Sequence, residues 1–186
     1  MKRRCAPISP VVVAYWLVPA QAERELFQTI IKILAGELDA PLFEPHLTLF
    51  STSLEGVSPS RVLQGTKATP RKLRIRAVGV SALFTKTLFV RFAREAALDQ
   101  LTERLQRKCG ARVRPVADPH LSLCYKELPA ATRKRLAAMI RLPLQEVAFD
   151  TLKVVRCAWP TRRAADVAGW QVLARQKLGR AKRKTG

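Results

Sequence analysis

The chain contains two histidines, and both sit in the same six-residue phrase. The first copy is Glu44-Pro45-His46-Leu47-Thr48-Leu49 and the second is Asp118-Pro119-His120-Leu121-Ser122-Leu123. Each reads acid, Pro, His, Leu, hydroxyl, Leu. In a strand, residues two apart share a face. Leu47 and Leu49 can therefore enter a core while His46 and Thr48 look outward, and the second copy divides in the same way. Pro45 and Pro119 lack an N–H and fix the chain as it enters each strand. A single His-x-Thr match carries little information. Two copies with the same flanks, using every histidine, point to one site built from two half-sites. Imidazoles exchange protons near neutral pH, and hydroxyls donate to anionic oxygens. The combination suits acid–base chemistry on a phosphate.

The surrounding pattern is mixed α and β. Residues 11–18 form a continuous apolar, β-branched and aromatic run, which predicts a buried strand. Residues 22–38 carry Leu26, Ile30, Ile33, Leu34 and Leu38 at helical spacing. Further strands are expected at 46–50, 73–83, 88–92, 120–125, 146–158 and 170–178. Further helices are expected from Ser58-Pro59, over 95–108 with Gly110 as its stop, and over 129–141. Residues 160–169 read as a loop. Each half supplies a helix, an acid-Pro loop and then the histidine strand. That order predicts two similar lobes facing one another across a cleft. The expected organisation is a flexible basic segment at 1–10, one two-lobed domain over 11–178 and a basic tail at 179–186.

Hydrophobic residues make up 48% of the 186 and are spread along the chain, so a packed fold is expected rather than disorder. The net charge is +20, from 34 Lys and Arg against 14 Asp and Glu. Such an excess fits attraction to RNA or another polyanion, and equally a basic solvated surface. Part of it is terminal: Lys2, Arg3 and Arg4 at one end, and Arg175, Lys177, Arg180, Lys182, Arg183 and Lys184 at the other. Cys5, Cys109, Cys124 and Cys157 form no Cys-x-x-Cys pair and no zinc-like spacing. A reduced, cytoplasmic or nuclear monomer is the expectation. The N-terminus imitates a signal peptide, but its apolar run is bounded by Pro10 and Pro19 and is too short to span a bilayer. No membrane association is expected.

The twin phrases resemble the two-histidine phosphoesterase superfamily, which is defined by two His-x-Thr/Ser-x motifs. Their flanks are similar to its plant and yeast cyclic phosphodiesterase branch. The similar stretches are Tyr15-Trp16-Leu17-Val18-Pro19, Pro41-Leu42-Phe43 before the first phrase, Tyr125 after the second, and the strand Leu152 to Trp159 followed by Gly169-Trp170. The resemblance covers residues 11–178. It implies an α+β fold of two pseudo-symmetric lobes, each an antiparallel sheet flanked by helices, with the active-site cleft between them. It also implies that residues 11–18 are a core strand rather than a leader.

The activity implied is a cyclic phosphodiesterase that opens ribose cyclic phosphates to phosphomonoesters without a metal. Its substrates would be nucleoside 2′,3′-cyclic phosphates or ADP-ribose 1″,2″-cyclic phosphate, a by-product of tRNA splicing. His46 and His120 would be catalytic, and Thr48 and Ser122 would hold the phosphate. Tyr125 and Trp16 would bind substrate by stacking, with Phe84, Phe89 and Trp170 as further aromatic candidates. Arg91 and Lys126 could assist the phosphate. No cofactor is expected, because two histidines without a convergent acidic cluster make a poor metal site. Glu44 and Asp118 stand before the histidine strands and are not expected to serve as metal ligands. Two alternatives stay open. One is an RNA-end phosphodiesterase or 2′–5′ RNA ligase-like enzyme using the same four residues. The other is a non-catalytic RNA-binding module that keeps the cleft. The +20 charge exceeds what a small nucleotide requires, and residues 51–73 carry no family marker.

Overall fold

A computed structural model describes residues 10–53, 57–64, 66, 68–112, 114 and 116–179. Apart from Arg175 and Lys177, the basic terminal residues lie outside the described residues, as does Cys5. The chain order is β1 (Val11–Pro19), α1 (Gln21–Leu38), β2 (Leu47–Thr52), α2 (Pro59–Gln64), β3 (Arg71–Val80), β4 (Leu88–Phe92), α3 (Ala96–Lys108), β5 (His120–Cys124), α4 (Ala130–Met139), β6 (Glu146–Ala158), α5 (Ala164–Ala168) and β7 (Gln171–Lys177). The fold is α+β, as the resemblance implies. Two local expectations need correction. Residues 160–169 are not all loop, because Ala164–Ala168 form a short helix. The strand expected over 73–83 runs instead over Arg71–Val80, and the turn to β4 closes through a 3₁₀ segment at Phe84–Lys86.

All strand pairings are antiparallel, in the order β1-β2-β5-β4-β3-β6-β7, and β1 also pairs with β6. Six strands thus close into a ring, with β7 outside it. β6 is the 13-residue spine. Along one edge it holds β1; on the other it holds β3 at Glu146–Phe149 and β7 from Thr151 onward. One half of the ring is β2-β1-β6 with β7, and the other is β5-β4-β3. The halves meet at the short β3–β6 ladder and at a single pair, Leu47 with Leu121. That narrow seam runs through the centre of both histidine phrases.

The core explains why the phrases fold as strands. Leu47, Leu121 and Leu123 are fully buried, and Leu49 nearly so. They join Leu17, Phe27, Leu88, Leu98, Leu101, Leu105 and Leu152 in one cluster. Each such side chain contributes about 1.5–3 kcal/mol on burial. α1 packs against β1 and β5, and α4 against β3 and β4. α3 ends at Gly110, whose φ of +64° favours glycine. At the end of α1, the Lys126 ammonium donates to the carbonyls of Leu38 and Asp39. That side chain therefore caps a helix that lacks basic residues in its last turn. No helix among the described residues is long and apolar enough to cross a membrane.

Candidate active site

The Leu47–Leu121 pair sets the geometry of the four phrase residues. Carrying this antiparallel register one step each way puts His46 opposite Ser122 and Thr48 opposite His120. All four share the face away from the buried leucines. The two histidines then lie on one diagonal and the two hydroxyls on the other, and such neighbours are about 7–8 Å apart. His46 and His120 are close enough for a charge on His120 to disfavour the imidazolium at His46. All four line one cleft of 680 Å³. This size falls within the roughly 300–1,000 Å³ range of sites that enclose a small ligand.

Both phrases contain a bulge at the same place. β1 pairs Tyr15 with Phe50 and Trp16 with Thr48, so Leu49 is skipped. β4 pairs Leu88 with Cys124 and Phe89 with Ser122, so Leu123 is skipped. Bulges re-aim side chains and recur beside active sites. Here each one leaves an aromatic residue opposite the phrase's hydroxyl. That aromatic touches the histidine of its own half. Trp16 stacks on His46 with centroids 3.7 Å apart and rings 13° from parallel. Phe89 meets His120 edge-on at 5.4 Å. Gly79, which pairs with Phe89 across β3 and β4, makes room for this ring: a Cβ there would come within 2.5 Å of it.

The acid of each phrase faces a lysine. The Glu44 carboxylate accepts from Lys153 Nζ at 2.7 and 2.6 Å. The Asp118 carboxylate pairs with Lys86, and Arg91 donates to it at 2.9 Å. Lys86 and Arg91 hold the Asp118 carboxyl below the usual carboxylate range, although burial works the other way. Arg91 is thus engaged with Asp118. Among the described residues, no three His, Cys, Asp or Glu side chains converge as metal ligands.

The backbone carbonyls of these acids fix the histidine tautomers. His46 Nδ1 lies 2.7 Å from the Glu44 carbonyl, and His120 Nδ1 lies 2.8 Å from the Asp118 carbonyl. A carbonyl oxygen only accepts, so each Nδ1 carries the proton and donates it. In the neutral ring each Nε2 then keeps its lone pair. Burial lowers the pKa of His46 to about 4, and nearby His120 and Lys153 add to the effect against the Glu44 carbonyl. His120 is also lowered by burial, with Lys86 and Arg91 adding to it, while the Asp118 carbonyl and carboxylate pull it back up.

The two hydroxyls differ. Thr48 is exposed to the cleft, whereas Ser122 is buried and donates to the Thr85 carbonyl at 2.7 Å. The Tyr125 phenol lies beside the Ser122 hydroxyl, and burial pushes its pKa up. Tyr125 lines the cleft but is buried, with one face stacked on Phe43 at 4.0 Å. Trp16 is also buried, and His46 covers one of its faces. Trp170 joins Trp16, Phe43, His46 and Tyr125 in edge-on contacts. Phe84 lines the same cleft. Trp159, which belongs to one of the similar stretches but was given no site role from sequence, lines the cleft and is 55% exposed. Only its place after the long β6 strand could have pointed to it.

No protein-family model matches this chain, and no curated protein does. Solved structures match in shape. The LigT protein of E. coli complexed with 3′-AMP aligns with a TM-score of 0.54 at 17% identity, covering 91% of this chain and 98% of LigT. LigT complexed with phosphate aligns at 0.52 and 16% identity over the same shares. The chain has the LigT fold. At such low identity, the shared ring of strands is a likeness of backbone.

Proposed function

We propose that this chain is a two-histidine phosphoesterase that hydrolyses ribose cyclic phosphates. The observation that carries the reading is the pair of imidazoles on one cleft, each presenting Nε2 because its Nδ1 proton is held by its own phrase's carbonyl. The complexes of LigT with 3′-AMP and with phosphate support it by analogy of fold. The substrates proposed are nucleoside 2′,3′-cyclic phosphates and ADP-ribose 1″,2″-cyclic phosphate.

His46 serves as the base in this reading. Its pKa of about 4 leaves it neutral at pH 7. Its Nε2 takes a proton from water as the water oxygen bonds to phosphorus. His120 serves as the acid. It is less buried and has the Asp118 carboxylate nearby, and the bound phosphate anion adds a second negative neighbour that favours its protonated form. As the bond between phosphorus and the ribose oxygen breaks, Nε2 of His120 delivers its proton to that oxygen. Each proton transfer contributes about 10²–10⁴-fold. Thr48 donates to a non-bridging oxygen as charge builds, and Ser122, whose proton rests on the Thr85 carbonyl, must turn to do the same. Histidines on a diagonal flank the phosphorus, as in-line displacement requires. Trp16 positions His46 by covering its ring, and Tyr125 supports Ser122.

The test is hydrolysis of adenosine 2′,3′-cyclic phosphate and of ADP-ribose 1″,2″-cyclic phosphate in the presence of EDTA. A fall in turnover of about 10²–10⁴-fold in both His46→Ala and His120→Ala is expected. Undiminished turnover in either variant would remove the mechanism, and loss of turnover in EDTA would replace it with a metal-assisted one.

A further inference from the structure

The aromatic side chains of the cleft divide into two kinds. Trp16, Phe84, Tyr125 and Trp170 are engaged with other rings inside the site. Trp159 makes no ring contact with a described residue and is 55% exposed, yet it lines the same cleft. Across the cleft, Leu83 is 64% exposed and comes from the other half of the ring, on the β3–β4 connection. These are the two large apolar side chains that are both exposed and cleft-lining among the described residues.

The loop that presents Trp159 is well anchored. The Trp159 N–H donates to the Pro10 carbonyl at 2.8 Å. The Asp166 carboxylate accepts from the backbone N–H groups of Arg162 and Arg163 at 2.9 and 3.0 Å. Asp166 sits in α5, whose Val167 is buried against the aromatic cluster of Phe43 and Tyr125. Arg163 pairs with Asp166. Arg162, which lines the cleft, forms no ion pair with a described residue. One loop thus offers an open indole face and an available guanidinium at the cleft mouth.

We infer that Trp159 and Arg162 form an outer subsite for the nucleotide preceding the reacting one, so that the preferred substrate is an RNA strand ending in a cyclic phosphate. This rests on the cyclic phosphodiesterase reading above. The terminal ribose and its phosphate occupy the inner site. The preceding base stacks on Trp159, with Leu83 closing the mouth from the opposite half. Arg162 takes the phosphodiester that links the two nucleotides. Stacking of this kind accepts any base and is worth about 1–3 kcal/mol per base. The +20 net charge is consistent with a polyanionic strand.

The experiment compares kcat/KM of the full chain on adenosine 2′,3′-cyclic phosphate, on an oligoadenylate ending in the same cyclic phosphate, and on ADP-ribose 1″,2″-cyclic phosphate. Trp159→Ala should lower the oligonucleotide-to-mononucleotide ratio about tenfold, within the stacking range. Trp159→Phe should restore most of it, and thermal melts check that both variants fold. Arg162→Gln should flatten the log–log salt dependence for the oligonucleotide by about 0.7, the value for one single-strand phosphate contact. An unchanged ratio in Trp159→Ala, with wild-type turnover intact, would overturn the outer subsite and leave the phosphodiesterase reading standing. A loss confined to ADP-ribose cyclic phosphate would assign Trp159 to a small nucleotide and overturn the RNA assignment. Absence of wild-type turnover on all three would bring down both.

Discussion

The two half-sites share a sequence phrase and a bulge but differ in their surroundings. His46 lies under the face of Trp16, against the edge of Trp170, and is 5% exposed. His120 meets only the edge of Phe89, is partly exposed, and has Lys86, Arg91 and Asp118 around it. The hydroxyls reverse this order: Thr48 is open and Ser122 is buried. A repeated motif thus supplies matched geometry, while the packed neighbours give the two imidazoles different surroundings. Burial, with the His120 and Lys153 charges adding to it, disfavours the imidazolium at His46. A carboxylate and partial exposure keep protonation within reach at His120.

The largest effect expected is from the histidines themselves. His46→Ala and His120→Ala should each lower kcat by about 10²–10⁴-fold without disturbing the circular-dichroism spectrum. The two halves should then separate in their pH profiles. With His46→Ala the acid limb of kcat/KM should disappear, and with His120→Ala the alkaline limb should. The opposite pattern would exchange the base and acid roles.

The hydroxyls sharpen the comparison next. Thr48→Ala should cost about 10²–10³ in kcat, as for loss of one donor to developing charge. Ser122→Ala should cost less, because Ser122 already directs its proton to the Thr85 carbonyl. Equal losses would show that Ser122 turns to the phosphate during turnover. Gly79→Ala tests the support beneath the second half-site only. Its Cβ would crowd the Phe89 ring, a strain of about 1–3 kcal/mol in a packed core. A lower melting temperature with a weakened His120 limb and an unchanged His46 limb is the expected signature.

The smallest effect concerns the cover over His46. Trp16→Leu should let water approach the ring and move the acid limb up by roughly one pH unit, or about 1.4 kcal/mol. The same burial links to stability. A buried histidine with a folded pKa of about 4 and an unfolded value of 6.5 is protonated more readily when unfolded. Its contribution is therefore fully present above pH 6.5 and is lost as the pH falls from 6.5 through 4. Denaturant titrations at pH 7 and pH 5 should show a gap that narrows in His46→Gln. A gap that does not narrow would place the acid sensitivity elsewhere in the chain.

Much of the fold was legible because the signals were strong and local. The apolar run at 11–18 became β1, the helical spacing over 22–38 became α1, and Gly110 ended α3. The α5 helix was not legible, since five residues, three Ala with one Asp and one Val, are too short to show a helical stripe. It is held instead by Asp166 at its start and by Val167 in the aromatic cluster. Lys126, open to a phosphate role from sequence, caps α1 because tertiary packing brings the end of β5 beside that helix.

By itself, the sequence determined that His46, Thr48, His120 and Ser122 would face away from the core, because strand alternation with buried leucines allows no other arrangement. It also determined that two such strands exist. Their relative placement was decided by the ring closure at Leu47 and Leu121. So were the aromatic ring assigned to each histidine, the lysine facing each acid, and the exposure of Trp159. The physical reason is range. Alternation is a property of neighbours in the chain, whereas register, burial and electrostatic environment are set by residues tens of positions away, and only folding brings these together.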